Sequence, residues 1–418
     1  MRASFVSQIC ALVAATTATA EWVNVWNASP QLSGDLPPAS VTNPNGYFRN
    51  TTIRQTLHLT LASSSLRVKF SNEFGASPLE ISSSSAALTS PNKAGSADID
   101  AGSVRALTFT GKTSVTIPAG STIISDAFNL STAVGQELTV SLYLAKGQPG
   151  KNLTAHDKSH TSTFFGPGDQ TSEATIHNGS SAPHWYYVTE IQRQEPSGAS
   201  ALICVGDSIT DGTGSDMNGN NRWTDDLFRR MQNSPDTKDV AVLNAGIGGN
   251  HLVTTPGNGP TALQRIQGII AQPGVRYVAI LEGVNDIGHA AATDAAQEDV
   301  YNAMVNALQE IIDEVHKSGL FIFGGTLTPS FVNPAYSGTT SNYANPKRAA
   351  TRNKLNKWIQ NGAKFDYVVD YATAVANKTH PDQFQDRYAF GNYVHPNVAG
   401  HLAMADAWDL SVFEKFTR

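Results

Sequence analysis

A serine at the tip of a turn, a histidine near the end of the chain and two small-residue loops between them are the residues here best suited to act together. The first block is Val205-Gly206-Asp207-Ser208-Ile209-Thr210-Asp211-Gly212. It follows the apolar run Ala201–Val205, so the Ser208 hydroxyl stands where a buried strand gives way to a turn, the place where open α/β sheets put their ligands. In the second block, Asn244-Ala245-Gly246-Ile247-Gly248-Gly249-Asn250, adjacent glycines let a backbone N–H approach a ligand closely. Such an N–H can donate to a developing oxyanion. The third, Gly283-Val284-Asn285-Asp286, offers the Asn285 amide for the same purpose. The fourth, Asn392-Tyr393-Val394-His395-Pro396-Asn397, offers the His395 imidazole as a base for Ser208. Read singly, each block is an ordinary turn, because Gly, Asp, Asn and Ser are turn residues. Their chain order, each after its own predicted strand, is what argues for a site.

The elements that must hold these blocks change character along the chain. From Glu21 to about Glu195 apolar residues alternate with polar ones: Leu57, Leu59 and Leu61; Leu66, Val68 and Phe70; Val115 and Ile117; Leu138, Val140, Leu142 and Leu144. A period of two predicts strands with one buried and one wet face, hence an all-β, antiparallel sandwich of jelly-roll type over 21–195. Pro196-Ser197-Gly198 reads as a linker. Beyond it, continuous apolar strands are predicted at Ala201–Val205, Val240–Leu243, Tyr277–Leu281, Leu320–Phe323 and Tyr367–Val369. Between them Ala295–Lys317 places Val300, Met304, Leu308, Ile311, Ile312 and Val315 on one helical face. This is α/β patterning: βαβ units, a parallel sheet and helices on both sides. Asn397 is the expected N-cap of a last helix running through Leu402 and Trp408.

Composition narrows the function classes. The 418 residues are 40% hydrophobic with a net charge of −6 and no Lys/Arg run, which argues against nucleic acid and against an anionic membrane surface as partners. Residues 1–20 read as a signal peptide: Arg2, an apolar stretch from Ile9 to Ala15, and Ala18-Thr19-Ala20 before a mature start at Glu21. The apolar run is too short to span a bilayer. Export would leave Cys204 alone, without a disulfide partner, as a small buried hydrophobe. In an exported eukaryotic chain, the sequons at Asn27, Asn50, Asn129, Asn152, Asn178 and Asn377 are candidate glycan sites on surface loops. No H-E-x-x-H or Cys-rich ligand spacing and no G-x-G-x-x-G phosphate loop occurs, so neither metal nor organic cofactor is expected.

Together the four blocks resemble the SGNH (or GDSL) hydrolase superfamily. Gly206-Asp207-Ser208 matches its nucleophile block, Gly249 its oxyanion glycine, Gly283-x-Asn285-Asp286 its oxyanion asparagine block, and His395 the histidine of its last block. The resemblance spans Ala201 to about Trp408. It implies a flavodoxin-like, three-layer hydrolase domain over 199–418 and a serine esterase working through an acyl-enzyme. Ser208 would be the nucleophile and His395 the base. The Ser208 N–H, the Gly249 N–H and Asn285 would form the oxyanion hole, with Asp207 and Asp286 in support. The region Trp22–Pro30, Arg67–Asn72 and Leu281–Gly288 further resemble secreted two-domain members related to esterases of plant-polysaccharide breakdown, which implies acetyl or other short acyl esters of carbohydrates as substrates. A general esterase or lipase is the rival within the class, and a catalytically weakened glycan-binding protein the rival outside it. The family's last block is Asp-x-x-His, and here Asn392 stands at the acid position. Three readings are open: a Ser208–His395 dyad with Asn392 or a backbone carbonyl as orienter, another acid such as Asp386, or largely lost activity.

Overall fold

The computed structural model describes residues 21–416 apart from 36, 44–45, 196–197, 255–256, 331–342 and 392. The expected signal peptide, Pro196 and Ser197 of the linker, and Asn392 therefore lie outside the described residues.

The N-terminal half is built on two main antiparallel sheets. One runs Glu21–Asn27, Val188–Glu195, Ser63–Ser71, Thr122–Ile124, with Phe128–Thr132 also paired to Ser63–Ser71. The other runs Ser180–Ala182, Thr163–Pro167, Thr51–His58, Glu137–Leu144, Ser83–Leu88, Arg105–Ala106. The alternating Leu66, Val68 and Phe70 of the first and Leu138, Val140, Leu142 and Leu144 of the second are fully buried in a common core. The expected wet faces are not all wet. Thr51–His58 and Glu137–Leu144 are buried on both faces, because loops fold over the polar side and satisfy it. Arg54 donates to Ser141 Oγ at 3.0 Å and, at 2.8 Å each, to the carbonyls of Ala97, Gln170 and Glu173. A buried guanidinium is tolerated only when its donors are used in this way.

The C-terminal half is a five-stranded parallel sheet in the order Val240–Gly246, Ser200–Gly206, Val275–Leu281, Phe321–Gly325, Tyr367–Val369. In chain order this is 2-1-3-4-5, the flavodoxin-like winding, whose switch point lies between the first and third strands. Each strand coincides with an apolar run read from the sequence. The long helix Asp294–Lys317 is capped by Thr293 and buries the predicted face from Val300 to Val315. Asn397 caps Val398–Asp406, its Oδ1 accepting from the Gly400 N–H at 3.0 Å. That helix ends before Trp408, which is buried, whereas Leu402 is exposed.

The two halves are closely joined. The Asn24 N–H donates to the Pro273 carbonyl at 2.9 Å and the Asn24 amide to Gln272 at 2.8 Å. The junction also overturns one expectation. Asn27 is not on a surface loop: it ends the strand Glu21–Asn27, is buried, and donates Nδ2 to the Asn244 carbonyl at 3.1 Å, so a glycan there would have to part the halves. Asn129 is exposed, though on the strand Phe128–Thr132 rather than a loop, and Asn50, Asn152 and Asn178 are exposed while Asn377 is half-buried.

Candidate active site

Ser208 opens the short helix Ser208–Asp211 directly after the strand Ser200–Gly206. The strand can turn so tightly because residue 206 is glycine: a Cβ there would fall 2.5 Å from the Leu281 carbonyl oxygen and 2.2 Å from Thr210 Oγ1. Asp207 caps the turn by accepting from the Ile209 N–H at 2.8 Å. Its own burial, then the neighbouring Asp286 and Asp211, push its pKa up to about 7. Asp207 thus shapes the nucleophile turn, and neither a hydrogen bond nor an ion pair joins it to His395.

His395 reaches the same sheet edge from the last loop. Ser330 Oγ donates to the Val394 carbonyl, and the Phe390 N–H to that of His395, both at 2.9 Å. The loop so held places His395 Nε2 2.7 Å from Ser208 Oγ. Burial first, and the nearby His160 second, pull the His395 pKa down to about 4. The ring is therefore neutral at pH 7 and able to take a proton. Asp386 does not serve it: this residue sits on the exposed turn Asp386–Tyr388, with no hydrogen bond or ion pair to His395.

The donors line the same cleft. Asn285 lies on Val284–His289, just after the third strand of the parallel sheet. One amide hydrogen goes to the Asn250 carbonyl at 2.7 Å, and Oδ1 accepts from the Tyr343 hydroxyl at 2.6 Å. These partners fix which way the amide faces and leave its second hydrogen for a ligand. Gly249 has φ +76, a conformation glycine takes without strain. Among the described residues, neither the Gly249 N–H nor the Ser208 N–H donates to a protein acceptor. Asp286 fastens the adjoining loop by accepting from the N–H groups of Leu252, Val253 and Thr254 at 2.7, 3.1 and 2.9 Å.

Several contributors had no local signal in the sequence. Arg265, on the helix Ala262–Ile270, donates to the Gly206 carbonyl at 3.1 Å and to Asn250 Oδ1 at 3.0 Å, joining the first two blocks from below. Burial pulls its pKa down to about 10. His251 Nε2 lies 2.8 Å from His289 Nδ1, and His289 Nε2 lies 3.3 Å from the Tyr343 hydroxyl, so a chain of polar groups ends on Asn285. From the antiparallel half, His156 Nε2 meets Asp211 Oδ1 at 2.9 Å. The cleft over Ser208 has a volume of about 1350 Å³, and residues of both halves line it. A second cavity of about 40 Å³ lies between the halves around His156, Asp211 and Arg222. Among the described residues no three His, Cys, Asp or Glu side chains gather as a metal site.

Residues 204–403 match the family model described as GDSL-like Lipase/Acylhydrolase. The parallel-sheet half belongs to this family. The match supports an ester hydrolase of the lipase/esterase type. The GDSL-like domain is similar to a solved GDSL-like lipase from Bacteroides thetaiotaomicron, with 14% identity over 52% of this chain and 89% of that one, at a TM-score of 0.36. It is also similar to an α/β hydrolase enzyme from the metagenome of Lake Arreo, Spain, with 20% identity over 53% of this chain and 99% of that one, at a TM-score of 0.36. Likeness this distant carries no argument about substrate. Among curated proteins none matches this chain.

Proposed function

We propose that this ester hydrolase is an exported serine esterase acting on short acyl esters of carbohydrates. The observation that carries the reading is the 2.7 Å approach of Ser208 Oγ to His395 Nε2 at the carboxyl end of the first parallel strand. In the first step Ser208 Oγ attacks the ester carbonyl and its proton passes to His395 Nε2. The negative charge gathering on the carbonyl oxygen is met by the Ser208 and Gly249 N–H groups and the second Asn285 amide hydrogen. Collapse of this intermediate expels the alcohol, which takes the proton back from His395, and leaves the acyl group on Ser208. Water, deprotonated by the same imidazole, then releases the acid. Asn392, three residues before His395, is the proposed orienter in place of the family's aspartate. An uncharged orienter suits a base whose resting state is neutral, but it gives the imidazolium no charge compensation. The open cleft and the polar side chains that the antiparallel half brings to it favour a bulky, hydroxyl-rich alcohol. Export rests on the first twenty residues, with glycans proposed at Asn50, Asn129, Asn152, Asn178 and Asn377.

Ser208→Ala tests the reading. Turnover of p-nitrophenyl acetate should fall by at least roughly 10⁴ with thermal unfolding unchanged. Turnover equal to that of the native chain would remove Ser208 as nucleophile. A native protein without turnover that still bound glycan would favour the weakened binding protein instead.

A further inference from the structure

One wall of the cleft over Ser208 comes from outside the family domain. Gln31, Leu32, Asp35, Lys158 and His160 of the antiparallel half line it together with Ser208 and His395. The wall is held firmly. Asp157 accepts from the Gly34 and Asp35 N–H groups at 2.6 and 3.1 Å, from Ser33 Oγ at 3.0 Å and from Gln31 Nε2 at 3.3 Å.

Two polar atoms of this wall are buried without a hydrogen-bond partner: His160 Nε2 and Gln31 Oε1. Such atoms are uncommon in native proteins, and each calls for an explanation. His160 is also held on left-handed backbone, φ +52, a region residues with a Cβ seldom adopt. Its carbonyl accepts from the Asn218 N–H of the other half at 2.8 Å, so the junction itself holds the ring in place. Strain and unmet hydrogen bonding at a site edge point to a ligand-facing role.

The chemistry of the two atoms limits the ligand. Gln31 Oε1 can only accept. The His160 ring, neutral because burial pulls its pKa down to about 4, can accept or donate by choice of tautomer. A neutral hydroxyl satisfies both, whereas an anion would be repelled by the nearby Asp35 and Asp157. Position assigns these hydroxyls to the alcohol side. The leaving oxygen must lie beside His395, which returns the proton to it, and His160 lines the same cleft as that ring.

We propose that the antiparallel half completes the active site, His160 and Gln31 hydrogen-bonding hydroxyls of a polyhydroxy alcohol whose ester Ser208 cleaves. The proposal rests on the esterase reading and makes His160 a specificity-determining residue. The test is the ratio of kcat/KM for 6-O-acetylglucose to that for p-nitrophenyl acetate, whose leaving group has no further hydroxyl, with glycerol monoacetate as a third substrate. In His160→Phe the sugar-to-aryl ratio should fall roughly tenfold, the effect of one lost hydrogen bond with its partner left unmet. His160→Gln, which keeps a donor and an acceptor, should recover part of it. A larger fall with the sugar ester than with the glycerol ester assigns the site to sugars, and the reverse to glycerides. Gln31→Leu should lower the ratio severalfold and serves if His160→Phe does not fold, as judged by thermal unfolding. Ratios within twofold of native in all variants would overturn the proposal. Equal losses on every ester would overturn it too, since His160 would then act through His395. If the native enzyme cleaves no ester and Ser208 resists a fluorophosphonate, the parent reading falls and takes this one with it.

Discussion

The helix Ser208–Asp211 offers a side chain to each of two histidines, and the two are held by opposite means. At one end Ser208 meets His395 in the open cleft. One turn on, Asp211 meets His156 inside the junction, where both side chains are almost wholly buried and the other ring nitrogen of His156 lies 2.9 Å from the Ser29 carbonyl oxygen. Burial pulls both imidazoles toward neutrality. For His395 nothing outweighs it and the pKa drops to about 4. For His156 the Asp211 carboxylate, the Ser29 carbonyl and Asp157 together outweigh it, and the net direction is up. The His156–Asp211 pair anchors the turn, while the neutral ring beside it is left able to accept a proton. Asp211 also accepts from the Gly248 N–H at 3.1 Å, so the anchor ties the nucleophile turn to the loop carrying Gly249.

Breaking the anchor should have the largest effect on stability. Asp211→Ala leaves His156 buried without its partner and should cost about 3–5 kcal/mol of unfolding free energy, read by chemical denaturation. The pH dependence carries a sign. A folded pKa raised above the ordinary 6.5 means this contribution is fully present below pH 6.5 and is lost as pH rises through the folded value. The native protein should show that loss and the variant should not. A variant as stable as native would make the pair incidental.

Next in size is the oxyanion side. Asn285→Ala should lower kcat roughly 10²–10³-fold with KM little moved, because the donor acts mainly in the transition state. A change confined to KM would make Asn285 a substrate-binding residue. The smallest change sharpens the contrast between the histidines. Asn392→Asp puts a carboxylate near His395 in sequence, as Asp211 stands by His156 in space. It should raise the His395 pKa and move the acid limb of kcat/KM to higher pH, with a gain in kcat. An unmoved limb would mean that residue 392 does not govern His395.

How much was legible in the sequence follows the range of the interactions. The four blocks could be read because each is local: Gly206 marks a close approach, Asn397 a cap, and the apolar runs before the blocks are parallel strands buried on both faces. The junction could not. His156 and Asp211 are 55 residues apart, and no local period encodes their meeting. Alternation alone puts Thr139 on a wet face, yet it is buried, as is Arg54 under covering loops. The same blindness hid His160, Gln31 and Arg265, and it made Asn27 look like a surface acceptor. Nearness in sequence suggests Asp386 for His395, but the fold leaves it on an exposed turn.

The most direct test of the central claim is the pH dependence of covalent labelling by a fluorophosphonate, with the modified residue located by peptide mass spectrometry. One adduct is expected, on Ser208, absent in Ser208→Ala. Its rate should hold steady down to about pH 5 and fall by half near pH 4, as His395 takes a proton. An adduct on another residue, or a native protein that stays unlabelled at pH 7, would contradict it.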